Sequence, residues 1–148
     1  MKAFIPSCTT FIVHKFLLKL VFLTSNLNNI NKITIYGIAN CDTIKKTLDW
    51  YKNKNIAVEF HDYKKLGISA EKLRVWSKKL GYEVLLNKKS TTWRSLSKEE
   101  QQKVTGEAEA IDLMTKFTSL IKRPVVEIND NVIVGFNEAN FKDSSIKN

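Results

Sequence analysis

A single cysteine stands where a fold can turn a thiol into a nucleophile. Cys41 lies within Ile33-Thr34-Ile35-Tyr36-Gly37-Ile38-Ala39-Asn40-Cys41-Asp42-Thr43-Ile44-Lys45-Lys46, which reads as a short strand, a glycine turn and the opening of a helix. Ile33, Ile35 and Tyr36 are β-branched or aromatic, in a run too short for a helix and ended by Gly37. Asn40 is a favoured N-cap type, and Ile44, Leu48 and Tyr51 recur at the spacing of one helical face. This places Cys41 in the first turn, where unpaired N–H groups and the positive end of the helix dipole favour a thiolate. Lys45 and Lys46 act in the same direction and Asp42 against it, so the thiol is expected to ionise below its free value of roughly 8.5. The competing reading makes Cys41 a small buried residue, as free cysteines often are. Taken alone, the strand, turn and helix do not separate the two.

Few other residues compete for chemistry. The chain holds two cysteines, Cys8 and Cys41, and two histidines, His14 and His61; they form neither a disulfide framework nor metal-ligand spacing, so no metal site is expected. A lone thiol beside a βα pattern fits a reducing, cytoplasmic compartment. His61, beside Asp62 at a strand end, reads as a hydrogen-bonded structural residue in preference to a general base, because nothing in the sequence brings it to Cys41.

The elements that must position Cys41 fit in one domain of 148 residues, 43% hydrophobic and 26% charged. The net charge of +9 is unevenly shared, since residues 1–41 contain no Asp or Glu; without Lys2, Lys15, Lys19 and Lys32 the rest holds 20 basic against 15 acidic residues. No basic stripe is clustered, which argues against nucleic acid while suiting a small anionic substrate. Residues 1–31 differ in character. Their apolar segment, Phe11 to Leu23, is interrupted by His14, Lys15 and Lys19, too short and too charged for a membrane span and poor as a secretory signal. An extension outside the fold is the preferred reading, ahead of a targeting peptide or an added amphipathic helix.

Beyond the first helix, Ile56 to His61 reads as a second strand, parallel to the first by a βαβ crossover. Ser69 is an N-cap for a helix with the stripe Leu73, Trp76 and Leu80, closed by Gly81. Ser97 and Glu100 match a capping box for a helix to about Val104, and Ala108, Ile111, Met114 and Phe117 predict another. Val125 to Ile128 and Val132 to Val134 flank Asn129-Asp130-Asn131 and form a hairpin. Arg123-Pro124 opens it through a bond that either isomer fits. Asn137 to Lys142 predicts a closing helix. The order β-α-β, helical block, β-β, α is that of an α/β, thioredoxin-like fold with a mixed sheet and an inserted helical lobe. In such a fold the ligand site lies at the carboxyl end of the first strand, where Cys41 is. The domain is drawn over residues 32–143, with 144–148 as a tail.

Together these pieces resemble the arsenate-reductase-like (ArsC/Spx) family. The likeness runs through Ile33 to Gly37, Asn40 to Lys46, His61-Asp62-Tyr63, Leu85-Leu86-Asn87, Thr91-Thr92-Trp93-Arg94, Ile121-Lys122-Arg123-Pro124 and Gly135-Phe136. It is greatest towards small ArsC-like proteins proposed to act as glutathione-dependent thiol reductases. The resemblance implies Cys41 as nucleophile, Arg123 as the arginine that holds an anion, and a cis bond before Pro124. Asp42 and Thr43, whose first-turn amides are expected to stabilise the thiolate, and Pro124 join them in the predicted site, and Arg94, in a predicted loop, is a further candidate to bind a carboxylate or an oxyanion. Asn87 and Gly135 stand where arsenate reductases carry further arginines, so the cradle for arsenate is incomplete. Ile44 stands where Spx-type regulators commonly carry a second cysteine. A monothiol cycle with glutathione as co-substrate follows as the leading expectation. A regulatory module docking on RNA polymerase or another protein is its rival.

Overall fold

A computed structural model describes residues 32–146; the N-terminal segment 1–31, expected to lie outside the fold, falls outside the described residues. The core is a four-stranded sheet in the order β2-β1-β3-β4, built from β1 (Ile33–Gly37), β2 (Glu59–Asp62), β3 (Val125–Ile128) and β4 (Asn131–Val134). β1 runs parallel to β2 and antiparallel to β3, and β3 is antiparallel to β4. Between β1 and β2 lies α1 (Asp42–Asn53). The inserted lobe between β2 and β3 comprises α2 (Tyr63–Leu66), α3 (Ala70–Leu80), α4 (Tyr82–Leu85), α5 (Thr91–Ser95), α6 (Lys98–Gln102), α7 (Glu107–Lys116) and a 3-10 turn, Thr118–Leu120; α8 (Glu138–Ile146) follows the hairpin. This is the mixed, thioredoxin-like α/β architecture with a helical insertion.

The sheet separates two cores, because successive residues of a strand point to opposite faces. Ile33 and Ile35 of β1, Val126 and Ile128 of β3 and Ile133 of β4 pack with Ile44 and Tyr51 of α1 and with Phe141 of α8. Tyr36 and Val125 face the lobe, where they meet Leu73, Trp76, Leu85, Trp93, Ile111, Met114 and Leu120. Ser69 caps α3 through Lys72 N–H and Gly81, at φ 87, ends it. The Ser97–Glu100 capping box is present in both directions. In the hairpin turn, Asn129 takes the positive φ that asparagine tolerates.

Several local expectations shift. The β2 ladder is Glu59–Asp62, while Ile56 and Val58 pack against the α1 core ahead of it. Along α7 the buried stripe is Ala110, Ile111 and Met114; Ala108 is exposed, and Phe117 is the C-cap with 43% exposure. α6 stops at Gln102, short of Val104. The one-turn helices α2, α4 and α5 carry too few residues for a periodic signal, and burial of Tyr63, Leu85 and Trp93 holds them in place.

One charged group anchors the lobe to the sheet. Glu127, on the lobe face of β3, accepts hydrogen bonds from Tyr36 Oη (2.8 Å) and Trp76 Nε1 (2.7 Å), and its Oε2 lies 2.7 Å from Lys72 Nζ. Burial pushes the carboxyl's pKa up, but the hydrogen bonds from Lys72, Trp76 and Tyr36 hold it below its ordinary value. Three donors on two helix turns and a strand thus share one acceptor. Glu127→Ala is expected to destabilise the protein by about 2 kcal/mol, since it leaves a buried indole N–H and a phenol without a partner. A carboxylate depressed on folding adds stability above its unfolded pKa, roughly 4.3, and loses it as pH falls through the folded value. Urea denaturation at neutral and acid pH should therefore show a shallower pH dependence for Glu127→Gln than for the wild type.

Candidate active site

Gly37 ends β1, and α1 descends onto it. A Cβ built there would overlap Ile44 Cδ1 and lie 2.8 Å from Ile44 Cγ1, so the isoleucine occupies the space a side chain would need. Ile44, Thr47 and Tyr51 are the buried face of α1, with Thr47 Oγ1 donating to the Thr43 carbonyl at 2.8 Å and Leu48 only partly covered. Seating that face on the sheet moves the cap by one residue from its expected position. Cys41, not Asn40, is the N-cap, with extended backbone (φ −127, ψ 125) and its carbonyl accepting from Lys45 N–H at 3.0 Å. Asn40 is exposed in the preceding turn. The cap is decided by where the chain turns helical, and burial of Ile44 decides that.

An N-cap side chain faces the amides two and three positions on. The Cys41 sulfur makes no capping hydrogen bond. Partial burial pushes its pKa up, but the Ile44 and Thr43 amides, the Arg123 guanidinium and the Thr43 hydroxyl outweigh burial, and the net direction is down. The stabilising amides are thus those of Thr43 and Ile44, one position later than expected. Asp42, at N1, is exposed.

Arg123 reaches this cap from the far end of the lobe. An isolated bridge joins Leu86 to Ile121, Asn87 N–H donates to Leu120 O at 2.7 Å, and Lys122 N–H donates to Leu85 O at 2.8 Å. These bonds fix the chain just before the cis Arg123-Pro124 peptide. The Arg123 side chain then crosses the end of β1, its Cγ 4.0 Å from the Cβ position of Gly37. Buried Pro124 accepts from Gly135 N–H at 2.8 Å. Arg94 lies exposed on α5, a helix capped by Ser90 where the sequence predicts a loop. His61 is bound through Nε2 to Gly67 O at 2.7 Å and packs beside Tyr36, as a structural histidine does.

The ArsC family model matches residues 36–144. This chain belongs to the ArsC family. An uncharacterized protein of Haemophilus influenzae is 38% identical over 110 residues, 74% of this chain and 96% of that protein. The structure of the protein named YffB (PA3664) is 39% identical with a TM-score of 0.73, covering 76% of this chain and 98% of its own. The solution structure of an arsenate reductase (ArsC) related protein from Brucella melitensis is 41% identical with a TM-score of 0.63, covering 78% and 95%. The matched span runs from Tyr36 in β1 through the Cys41 cap, the lobe and the hairpin into α8.

One residue important to the site carries no obvious signal in the sequence. Gly37 reads as a turn glycine, yet its role is to admit Ile44; the apolar residue on the helix face seven positions later is the only hint. Thr43 was expected to contribute its amide, and its hydroxyl acts as well. Gly37→Ala should cost about 1–3 kcal/mol by overpacking and raise the thiol's pKa by displacing the start of α1. Arg123→Gln should raise it with little change in melting temperature. Ultraviolet thiolate absorbance against pH, in a Cys8→Ser background, reads both.

Proposed function

We propose that this ArsC-family protein is a cytoplasmic thiol-disulfide oxidoreductase that works through Cys41 alone and uses glutathione as co-substrate. The observation that carries the reading is the N-cap position of Cys41, where the Ile44 and Thr43 amides, the Thr43 hydroxyl and the Arg123 charge together favour the thiolate. Partial exposure leaves the sulfur open to attack. Ile44 at the third position after Cys41 is buried under Gly37, so a resolving thiol is supplied by the second substrate.

The cycle has two exchanges. The Cys41 thiolate attacks the glutathione sulfur of a mixed disulfide, forming a Cys41–glutathione disulfide and releasing the other sulfur as a thiolate. A second glutathione thiolate then attacks the bound glutathione sulfur, regenerating the Cys41 thiolate and leaving as glutathione disulfide. Arg123 would hold a carboxylate during both steps, and Arg94, exposed on α5, is a second candidate for that role. Asp42 supplies the first residue of the helix that carries the amides, and Pro124 fixes the backbone behind Arg123. Arsenate is a poorer candidate. Asn87 is engaged through its amide to Leu120 and through Oδ1 to Lys89 N–H, and Gly135 sits at φ 86, where an arginine would be strained.

Oxidised glutathione mixed with native protein should add one glutathione at Cys41, read by intact mass and peptide mapping, at pH values well below the free-thiol pKa. Reduced glutathione should remove it. Cys41→Ser should lose the adduct and all turnover while unfolding within about 1 kcal/mol of the wild type. An adduct formed only in alkaline solution would defeat the proposal. Stoichiometric capture of RNA polymerase or another protein, independent of Cys41 and without turnover, would replace it with the regulatory reading.

A further inference from the structure

The excess positive charge of the domain has one location. Residues 32–146 hold 20 lysines and arginines against 15 aspartates and glutamates, and residues 63–81 alone hold six against one, which leaves 14 against 14 elsewhere. Basic residues that read as unclustered along the chain are thus gathered on α2 and α3. Ser69, Glu71, Lys72, Arg74, Val75 and Lys78 line one open depression along α3. Lys72 is held there by Glu127, with its Nζ 5.5 Å from the centre of the Tyr36 ring, and Lys79 donates to Asp130 O in the hairpin turn. Arg74 and Lys78 are exposed and enter no ion pair among the described residues, and Val75 beside them is 46% exposed. Folding does not account for this face. Arg74 and Lys78 are like charges at i,i+4, which weakens a helix, and Glu71 pairs with neither. The helix dipole favours Lys78 in the last turn, but a solvated face is better served by glutamate, glutamine or lysine than by valine.

We propose that this face of α3 is a docking surface for an acidic amphipathic segment of a partner protein, whose carboxylates pair with Arg74 and Lys78 and whose apolar side chain covers Val75. Charge complementarity sets the sign of the partner, and the planar guanidinium of Arg74 matches a carboxylate with two parallel hydrogen bonds. Two features select a protein segment over nucleic acid. Glu71 stands in the same depression, where it repels a continuous row of phosphates. Tyr63 and Trp76, the aromatic residues of α2 and α3, are buried, so neither ring is free to stack on a base. Lys64 and Lys65, exposed on α2, extend the positive field that speeds encounter with an acidic partner. The inference needs neither Cys41 nor glutathione, and so stands apart from the proposed function.

The test measures binding of the full chain to a labelled helical peptide in which glutamates flank a leucine one turn away on either side, and to its glutamine counterpart, by fluorescence anisotropy. The acidic peptide should bind at least about tenfold more tightly than the neutral one, and added salt should remove the difference. Arg74→Gln combined with Lys78→Gln should weaken the acidic peptide about fivefold, and Val75→Ser about threefold, with melting temperatures unchanged. Lys52→Gln combined with Lys54→Gln removes the same charge from the exposed end of α1 and should change binding less than about twofold. Equal affinity for the two peptides overturns the proposal, and so does an equal loss in the two double variants, which would mean diffuse attraction by net charge. Tighter binding of a DNA duplex or of phosphatidylserine vesicles, lost on Arg74→Gln with Lys78→Gln, would also overturn it and reassign the face to that ligand. A protein that binds the peptide through α3 but takes up no glutathione at Cys41 keeps the docking surface and rejects the proposed function; the opposite result rejects the docking surface alone.

Discussion

Ile44 packs into the space left by the missing side chain of Gly37, and the geometry around Cys41 depends on that contact. It sets how closely α1 approaches the end of β1, and so which residue ends the extended backbone. Because the helix begins at Asp42, Cys41 becomes the N-cap and the amides of Thr43 and Ile44 bear on its sulfur. Ile44 therefore acts twice: its side chain wedges the helix against the sheet, and its N–H stabilises the thiolate. A larger residue at 37 would disturb packing and chemistry together.

The second constraint is long-range. The inserted lobe leaves the sheet after β2 and returns at β3, and the backbone bonds between Leu85–Asn87 and Leu120–Lys122 clamp the return. The Glu127 carboxylate adds a polar anchor on the same face, binding α3 through Trp76 and Lys72 and β1 through Tyr36. Arg123 emerges between the clamp and the strand. An arginine far from the cysteine in sequence thus lends its charge to the thiolate because the lobe is held at both ends.

Within the ArsC family, the described site combines a cap cysteine whose pKa is lowered with one arginine that acts on it, and Asn87 and Gly135 stand in the backbone around them. At Gly135 the backbone conformation itself disfavours a side chain, and it allows the N–H to reach Pro124 O. At Asn87 the side chain closes a local turn onto Lys89. Gly135, through Pro124 O, contributes to backbone geometry beside the cis proline.

By itself, the sequence determined the order of elements. Strand runs of β-branched residues, the Ser69 cap with Gly81, the Ser97–Glu100 box and the Asn129 turn are local signals, carried by side chains within a few positions of the backbone they direct. They were enough for a mixed, thioredoxin-like sheet with a helical lobe and for Cys41 at the head of a helix. Short helices such as α5 escaped because one turn has no period, and the α7 stripe slipped because Ala108 and Ala110 are chemically alike and only the packed core distinguishes them. Tertiary structure decided the rest: the exact cap, the approach of Ile44 to Gly37, and the approach of Arg123 to the end of β1 and to Cys41. Such juxtapositions arise from packing between distant segments, whose energy depends on shape complementarity that no local run of residues encodes.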